Sequence, residues 1–542
     1  MVIDPSEIEQ LTRELVRHAS VTGTKSAAGG GASPFNETLL AEWIHRRLEG
    51  KGVRSVLQSL PDGRKNVFAF VGGASARTVI LMGHFDTVPP SPGQALSAPS
   101  GGDDGFLYGR GSLDMKSGIA VAMTLMERWQ NGPAKPDVSV LFVATCDEEV
   151  ESSGVLRAIG LISRLKGNPS ADTTGGAASD TADGAAAAFL TAGTLCEFLG
   201  VINVDYTTER YPGDPDYHVW EGTVGKILAG VYVRGYQTHA GEYFRGFHAM
   251  GLLSRLVTGI DGCSDISGKA PPPATLRVKD AKDEYNVMTS PAGWAYFNIF
   301  TTENTPAKIM EILRAKSDRV IGEYLADLNK SFRAYGEAAG VPAGGLLWDV
   351  GTRTWSEIHR MAVKKAGPSG VKAALDAVNS SGRHADVREA GFEAIAALLD
   401  LLGDRDPVVV LAFLPPFYPY ISPDLGAFGS AVRKIIRKIV RERRTGDGRA
   451  ITTEEFYPYI SDMSYLRIEP EIRKNLGGLT DEMPSWGDRY SLDFTLIGRV
   501  DLPVVNVGPY GFGAHQPEER VEKKYSFEIL PALLRDIVAA LR

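Results

Sequence analysis

The chain has 542 residues, more than one ordinary domain of about 100–200 residues holds, so two or more are expected. Its 43% hydrophobic and 23% charged residues exclude general disorder, and its net charge of −8 argues against a general nucleic-acid binder. Cys146, Cys196 and Cys263 are too few for a disulfide framework or a cysteine zinc knuckle. The N-terminus lacks a basic-then-apolar signal pattern, and no apolar run approaches the roughly 20 residues of a membrane helix. A cytoplasmic protein without nucleic-acid or membrane partners is expected.

Ser6 followed by Glu9 reads as a capping box that opens an amphipathic helix to about His18. Asn36 is placed to cap a second helix, with Leu39, Leu40, Trp43, Ile44 and Leu48 at helical spacing. Aliphatic runs at 79–82, 138–144, 201–204 and 504–507 suit strands buried on both faces, and a helical pattern at 117–129 lies between two of them, which argues for α/β architecture. The small, polar stretch 167–190 lacks apolar periodicity and reads mostly as a mobile loop. From about Val219 a strand (226–233), a helix (247–257), an extended stretch (286–300) and a long helix (306 to about 335, capped by Thr305) suggest an inserted α+β domain. Residues 408–413 add one more buried strand. The expected division is 1–218 and 346–542 for a catalytic domain, and 219–345 for the insertion.

Each of the four aliphatic runs named first is followed by a carboxylate or an imidazole. His84 and Asp86 follow the first, Asp147, Glu148 and Glu149 the second, Asp205 the third, and a glycine-rich loop with His515 the last. Ligands of open α/β sheets bind beyond the carboxyl ends of the strands, so these groups converging there would form a metal-ligand cluster. His84 and Asp86, two apart, can face the same side and suit a metal-bound imidazole oriented by a carboxylate. The glycine-rich segment 105–116 lacks the GK[ST] of a phosphate loop and reads instead as a tight turn that presents Asp114 before a helix. Of the adjacent Glu148 and Glu149, one can ligate while the other serves as a base toward water.

GHFDTVPP, LYGRGSLDMKSGIA, a strand ending in DEEVESSG, VDYTTE, GYQTHAG and AHQPEERV, in that order, resemble the M20 family of zinc-dependent peptidases and amidohydrolases. The extra length and divergent middle look most like a branch linked to bacterial arginine utilisation. The resemblance implies a zinc-peptidase-like α/β catalytic domain, with a mixed sheet flanked by helices, plus an inserted α+β lid. It implies two Zn²⁺ per subunit, with Co²⁺ or Mn²⁺ as substitutes. His84 and Asp205 would bind one metal, Glu149 and His515 the other, and Asp114 would bridge. Glu148 would be the general base, Asp86 would hold the His84 tautomer, and His239 of the lid would stabilise the oxyanion across a homodimer. Asn286 would contact the substrate, a small molecule or short peptide.

Two departures bear on the substrate. Phe297-Asn298-Ile299-Phe300 stands where many relatives carry an arginine that grips the substrate carboxylate, and Arg234, Arg245 and Arg277 are the available replacements. The excess length falls within about 340–460, which includes an aromatic run (413–420), read as core or loop packing, and a basic run (433–444), read as a solvated face. A hydrolase of an amide or peptide bond in a small N-substituted amino acid or short peptide is the leading reading. A di-zinc aminopeptidase and a non-catalytic metal-stabilised binding protein are the alternatives.

Overall fold

The computed structural model describes residues 3–25, 35–94, 99–100, 104–133, 135–167, 176–282, 284–380, 386–423, 426–443, 445 and 448–542. The chain divides into two compact units. The first comprises Met1–Thr223, Ile421–Ile468 and Asp493–Arg542, and the second Val224–Tyr420 and Glu469–Leu492.

The first unit is built on an eight-stranded mixed sheet in the order Arg54–Ser59, Lys65–Val71, Val138–Thr145, Ser75–His84, Glu197–Asn203, Val504–Asn506, Tyr217–Trp220, Ile451–Glu454. Ser75–His84 is parallel to both of its neighbours, and Glu197–Asn203 is parallel to Val504–Asn506. Those strands therefore end at the same edge. All eight residues of Val138–Thr145 are buried, as expected of a strand covered on both faces, and each fully buried aliphatic side chain contributes about 1.5–3 kcal/mol. Helices Pro5–Arg17, Asn36–Gly50, Ser117–Asn131 and Leu530–Ala540 share this core.

Two close approaches at the strand ends demand glycine. A Cβ at Gly118 would run into the Val204 carbonyl, and one at Gly508 into the main chain of Asp205. The helix Ser117–Asn131 and the loop after Val504–Asn506 thereby come directly against the segment that carries Asp205.

The second unit holds a five-stranded sheet in the order Gly351–Thr354, Val408–Tyr418, Gly225–Arg234, Ala292–Thr301, Ala274–Asp280, antiparallel except for the first pair. Strand alternation divides its side chains between two layers. Leu228, Tyr232, Trp294, Tyr296, Val410, Ala412 and Leu414 pack with helices Trp355–Ser380 and Val387–Leu402. The opposite face meets helix Ala249–Ile260, where a Cβ on Gly293 would strike Met250 and Leu253.

Several expectations change. The boundary expected at 345/346 moves to 420/421, because the strands Gly351–Thr354 and Val408–Tyr418 are laid onto the second unit's sheet and their helices cover it. The aromatic run packs as core, as expected: residues 413–418 lie in Val408–Tyr418, and all of the run is buried. Its pairing with Gly225–Arg234 breaks between Leu414 and Tyr418, where Pro415 and Pro416 offer no N–H. The stretch read as a mobile loop contains the helix Gly176–Thr191; residues 168–175 lie outside the described set. Its alanines favour helix. Buried Asp183 ties it down through an ion pair to Arg157 (2.8 Å) and a hydrogen bond from Gln58 (3.3 Å). The first helix is capped by Asp4, which accepts from the Ser6 N–H at 2.9 Å, because Pro5 occupies the first helical position; Glu9 pairs instead with Arg13 (2.7 Å). Phe35 rather than Asn36 occupies the cap of the second helix, and the Asn36 amide donates to Thr24 Oγ1. The basic run lies largely in helix Gly426–Glu442, whose Ile436 and Val440 are buried, so only one side of it faces solvent.

Candidate metal centre

Four segments leaving adjacent strands of the first unit meet at one edge of its sheet. His84 is the last residue of Ser75–His84 and is 2% exposed. Its Nδ1 lies 3.2 Å from the Asp86 main-chain carbonyl. A carbonyl only accepts, so Nδ1 carries a hydrogen, and Nε2 is the nitrogen turned to the cluster, 3.1 Å from Asp114 Oδ1. The carboxylate of Asp86, expected to fix this tautomer, lies farther from Nδ1, at 3.6 Å, and is engaged elsewhere: Oδ1 accepts from the Glu148 N–H and Oδ2 from the Glu149 N–H, both at 3.2 Å.

Asp114 sits in the bend before Ser117–Asn131 and is 5% exposed. Its oxygens diverge. Oδ1 faces His84, and Oδ2 lies 3.0 Å from His515 Nε2, which is also 3.1 Å from Glu149 Oε2. One donor atom each from His84, Asp114 and Asp205 fall within 4.8 Å of one another, and so do those of Asp114, Glu149 and His515. Asp114 is common to both groups. Glu148 belongs to neither, yet its Oε2 is 3.8 Å from His84 Nε2.

Electrostatics sharpen the picture. Burial, then the neighbouring Asp114 charge, pushes Asp205 up to about 8. Burial and the charges of Asp462, Glu149 and Asp205 also raise Glu148 well above the ordinary carboxylate range, against the pull of His84. Burial alone would lower His84, but Glu148, Asp114 and Asp86 carry it well upward. Hydrogen bonds to Asp114 and Glu149 raise His515 to about 11. So many buried carboxylates around two imidazoles repel one another, and divalent cations would compensate that charge. Hard oxygen and borderline nitrogen donors in two groups joined by one carboxylate fit a pair of such ions.

Sequence reasoning did not single out four polar groups that build this edge. Asn506, fully buried, brackets the Asp205 main chain: its Oδ1 accepts from Asp205 N–H (3.2 Å) and its amide donates to Asp205 O (2.9 Å). Glu519, fully buried and paired with Arg110, accepts from the N–H groups of Leu113 (3.1 Å) and Asp114 (3.2 Å). Asp462 is buried beneath the cluster and accepts from Thr145 Oγ1 at 2.6 Å; burial raises it to about 7. Glu37 is also fully buried. It stands on the apolar stripe of its helix, with Ala41, Ile44 and Leu48, and a carboxylate on such a stripe was the signal available in the sequence.

His239 and Asn286 belong to the second unit, where they lie on neighbouring segments. His239 pairs with Met288 in an isolated bridge, and Asn286 Oδ1 accepts from Met288 N–H at 3.1 Å. Both side chains are exposed. His239 Nδ1 accepts from Gly241 N–H (3.0 Å) at the start of the turn Ala240–Arg245. Of the arginines considered as carboxylate grips, Arg277 is paired with Glu389 (2.7 Å) and Arg234 donates to Asp406 O (3.2 Å), whereas Arg245 is exposed and shares the His239 turn, with Glu242 at 3.1 Å.

An α/β unit whose strand ends carry two imidazole–carboxylate groups sharing Asp114 suits a metal-dependent hydrolase. Residues 80–540 match the peptidase family M20/M25/M40, and the chain belongs to that family, whose members are metal-dependent and typically dinuclear. It is 27% identical over 573 residues to the uncharacterized protein YqjN of Bacillus subtilis, covering 99% of this chain and 96% of that one. It is 26% identical over 570 residues to the protein RocB of the same organism, covering 98% and 94%. These full-length similarities place it in the RocB-like branch of the family. Among solved structures, the aminopeptidase PepT of Bacillus cereus shares the fold, with a TM-score of 0.55 at 12% identity and 99% of each chain covered. The protein is a hydrolytic enzyme of the metallopeptidase type. No helix among the described residues is long and apolar enough to cross a membrane.

Proposed function

We propose that the enzyme hydrolyses an amide or peptide bond in a small N-substituted amino acid or short peptide, with Glu148 as the general base. The observation that carries this reading is the division of Asp114 between His84 and His515, with Glu148 beside His84 but outside both donor groups. In this reading His84 and Asp205 would hold one ion, Glu149 and His515 the other, and Asp114 would serve both; zinc suits these donors, and Co²⁺ or Mn²⁺ would substitute. Bound there, the ions would supply Lewis acidity toward water and the scissile carbonyl. Glu148 takes a proton from the attacking water and delivers it to the leaving nitrogen as the C–N bond breaks, yielding a carboxylate and an amine. Asp86 anchors the turn that carries Glu148 and Glu149. His239 donates to the developing oxyanion, acting from the partner subunit of a homodimer, and Asn286 contacts the substrate.

The resemblance to the arginine-utilisation branch extends the reading to N-acyl, N-carbamoyl or dipeptide derivatives of arginine and ornithine. The test is turnover of that panel by zinc- and cobalt-loaded enzyme, a chelated control and the Glu148→Gln variant. The variant is expected to keep its metal and lose about 10²–10⁴-fold in kcat. Normal turnover by metal-replete Glu148→Gln would remove the base from this glutamate.

A further inference from the structure

Behind the turn that carries Glu148 and Glu149 lies a buried polar unit that touches no candidate donor atom. Three consecutive main-chain N–H groups of this turn each point at a buried carboxylate. Asp147 N–H donates to Glu37 Oε1 (3.1 Å), and Glu148 and Glu149 N–H donate to the two oxygens of Asp86 (3.2 Å each). The same carboxylates also hold the segment after the first helix. Glu37 Oε2 accepts from Gly23 N–H at 2.9 Å, and Asp86 Oδ2 accepts from Thr22 Oγ1 at 2.6 Å. Asp147 itself is left-handed, with φ 64°, a conformation that a non-glycine residue keeps only when its surroundings impose it.

Arg64 closes the unit. It forms an ion pair with Asp147, lies 3.7 Å from Glu37, donates to Ser153 Oγ at 3.0 Å and reaches Asp62 at 2.7 Å. Its planar fork serves several fixed acceptors at once, which an ammonium cannot reproduce. Asp147, in turn, accepts from Ser153, at the start of helix Ser153–Leu165. The turn is therefore anchored on one side by Glu37 and on the other by Arg64.

We infer that Glu37 and Arg64 are positioning residues for the reaction: through Asp147 they fix the backbone from which Glu148 and Glu149 project. The inference rests on the roles proposed above for those two glutamates. Both Glu37 oxygens are engaged as acceptors of main-chain N–H groups, so Glu37→Gln turns one of them into a donor facing a donor while leaving volume unchanged. Glu37→Asp keeps both acceptors on a shorter arm, and Arg64→Lys keeps the charge but not the fork.

The experiment compares wild type, Glu37→Gln, Glu37→Asp, Arg64→Lys and Glu148→Gln by kcat and KM per metal-loaded folded enzyme, by metal stoichiometry, and by amide hydrogen exchange of the peptide around 143–150 in metal-free protein. Glu37→Gln is expected to lower kcat or metal affinity about 10–100-fold with KM little changed, and to speed exchange around 147–149 about ten-fold. Glu37→Asp should recover part of the kcat loss. Unchanged kcat, metal affinity and exchange in folded Glu37→Gln would overturn the inference. If Glu37→Gln does not fold, the same null result in Arg64→Lys would do so. Full activity in Glu148→Gln alongside faster exchange in Glu37→Gln would instead sink the base assignment and leave the anchoring of the turn standing.

Discussion

In the first unit, Asp114 is 5% exposed, His84 is 2% exposed, and the main chain beside Asp114 and Glu148 is held by buried carboxylates. In the second unit, His239 and Asn286 are exposed, on a short turn and an irregular segment, and each side chain accepts one N–H from two residues further along. The two sets of proposed functional residues are thus built differently. The first set is preorganised, as charge stabilisation requires, because all its members except the exposed His515 are enclosed and cannot relax away from one another. The exposed set is adaptable. Changes to the donor residues of the first region should therefore disturb metal binding and chemistry together, whereas changes in the second should act on turnover or substrate affinity with the metals in place.

The strongest challenge to this contrast is Asp114→Ala. Removing the carboxylate common to both donor groups is expected to lower metal content at both sites and abolish measurable turnover; elemental analysis showing two tightly held ions would contradict the shared-ligand arrangement. Next comes His239→Ala, expected to cost about 10²–10³-fold in kcat with metal content and melting temperature unchanged. If His239 acts across a dimer, verified heterodimers of His239→Ala and Glu148→Gln subunits should recover activity, and no recovery would place its action within one chain. Gly508→Ala probes rigidity without touching chemistry. Its Cβ would enter the space of the Asp205 main chain, so about 1–3 kcal/mol of stability should be lost, read by denaturant unfolding. The smallest effect is expected from Asn286→Ala, a few-fold rise in KM with kcat little changed, since one exposed hydrogen bond contributes about 0.5–1.5 kcal/mol. A large fall in kcat there would show that the exposed edge is as tightly coupled to chemistry as the buried cluster.

The two regions also differed in how legible they were. The parallel strands announced themselves because a strand covered on both faces must be aliphatic throughout, and the first charged or imidazole residue after each run marks where the sheet ends. His84, Asp114, Glu149, Asp205 and His515 could be picked out on that ground together with the motif resemblance, and the fold gathers them at one edge. What supports them was hidden. Asn506 and Glu519 act on residues about 300 and 400 positions earlier in the chain, and no local pattern encodes such partners. Gly176–Thr191 looked like a loop because the stretch is small and polar and lacks apolar periodicity, while its alanines and the buried Asp183–Arg157 pair decide the outcome. The 351–418 segment gave strand and helix signals but none for the sheet it would join, since edge pairing depends on what is already folded.

Glu519 is the last of these groups to be synthesised. Its carboxylate closes the bend before Asp114 from a position 405 residues downstream, next to a loop that also delivers His515. During synthesis, His84, Asp114, Glu149 and Asp205 all emerge long before that loop exists, and every strand of the second unit's sheet is complete by Tyr418. The nascent first unit therefore carries a half-built, strongly acidic edge through most of translation. Only when His515 has been made can the second donor group, Asp114, Glu149 and His515, close, so both groups of donors exist together only after that residue has emerged.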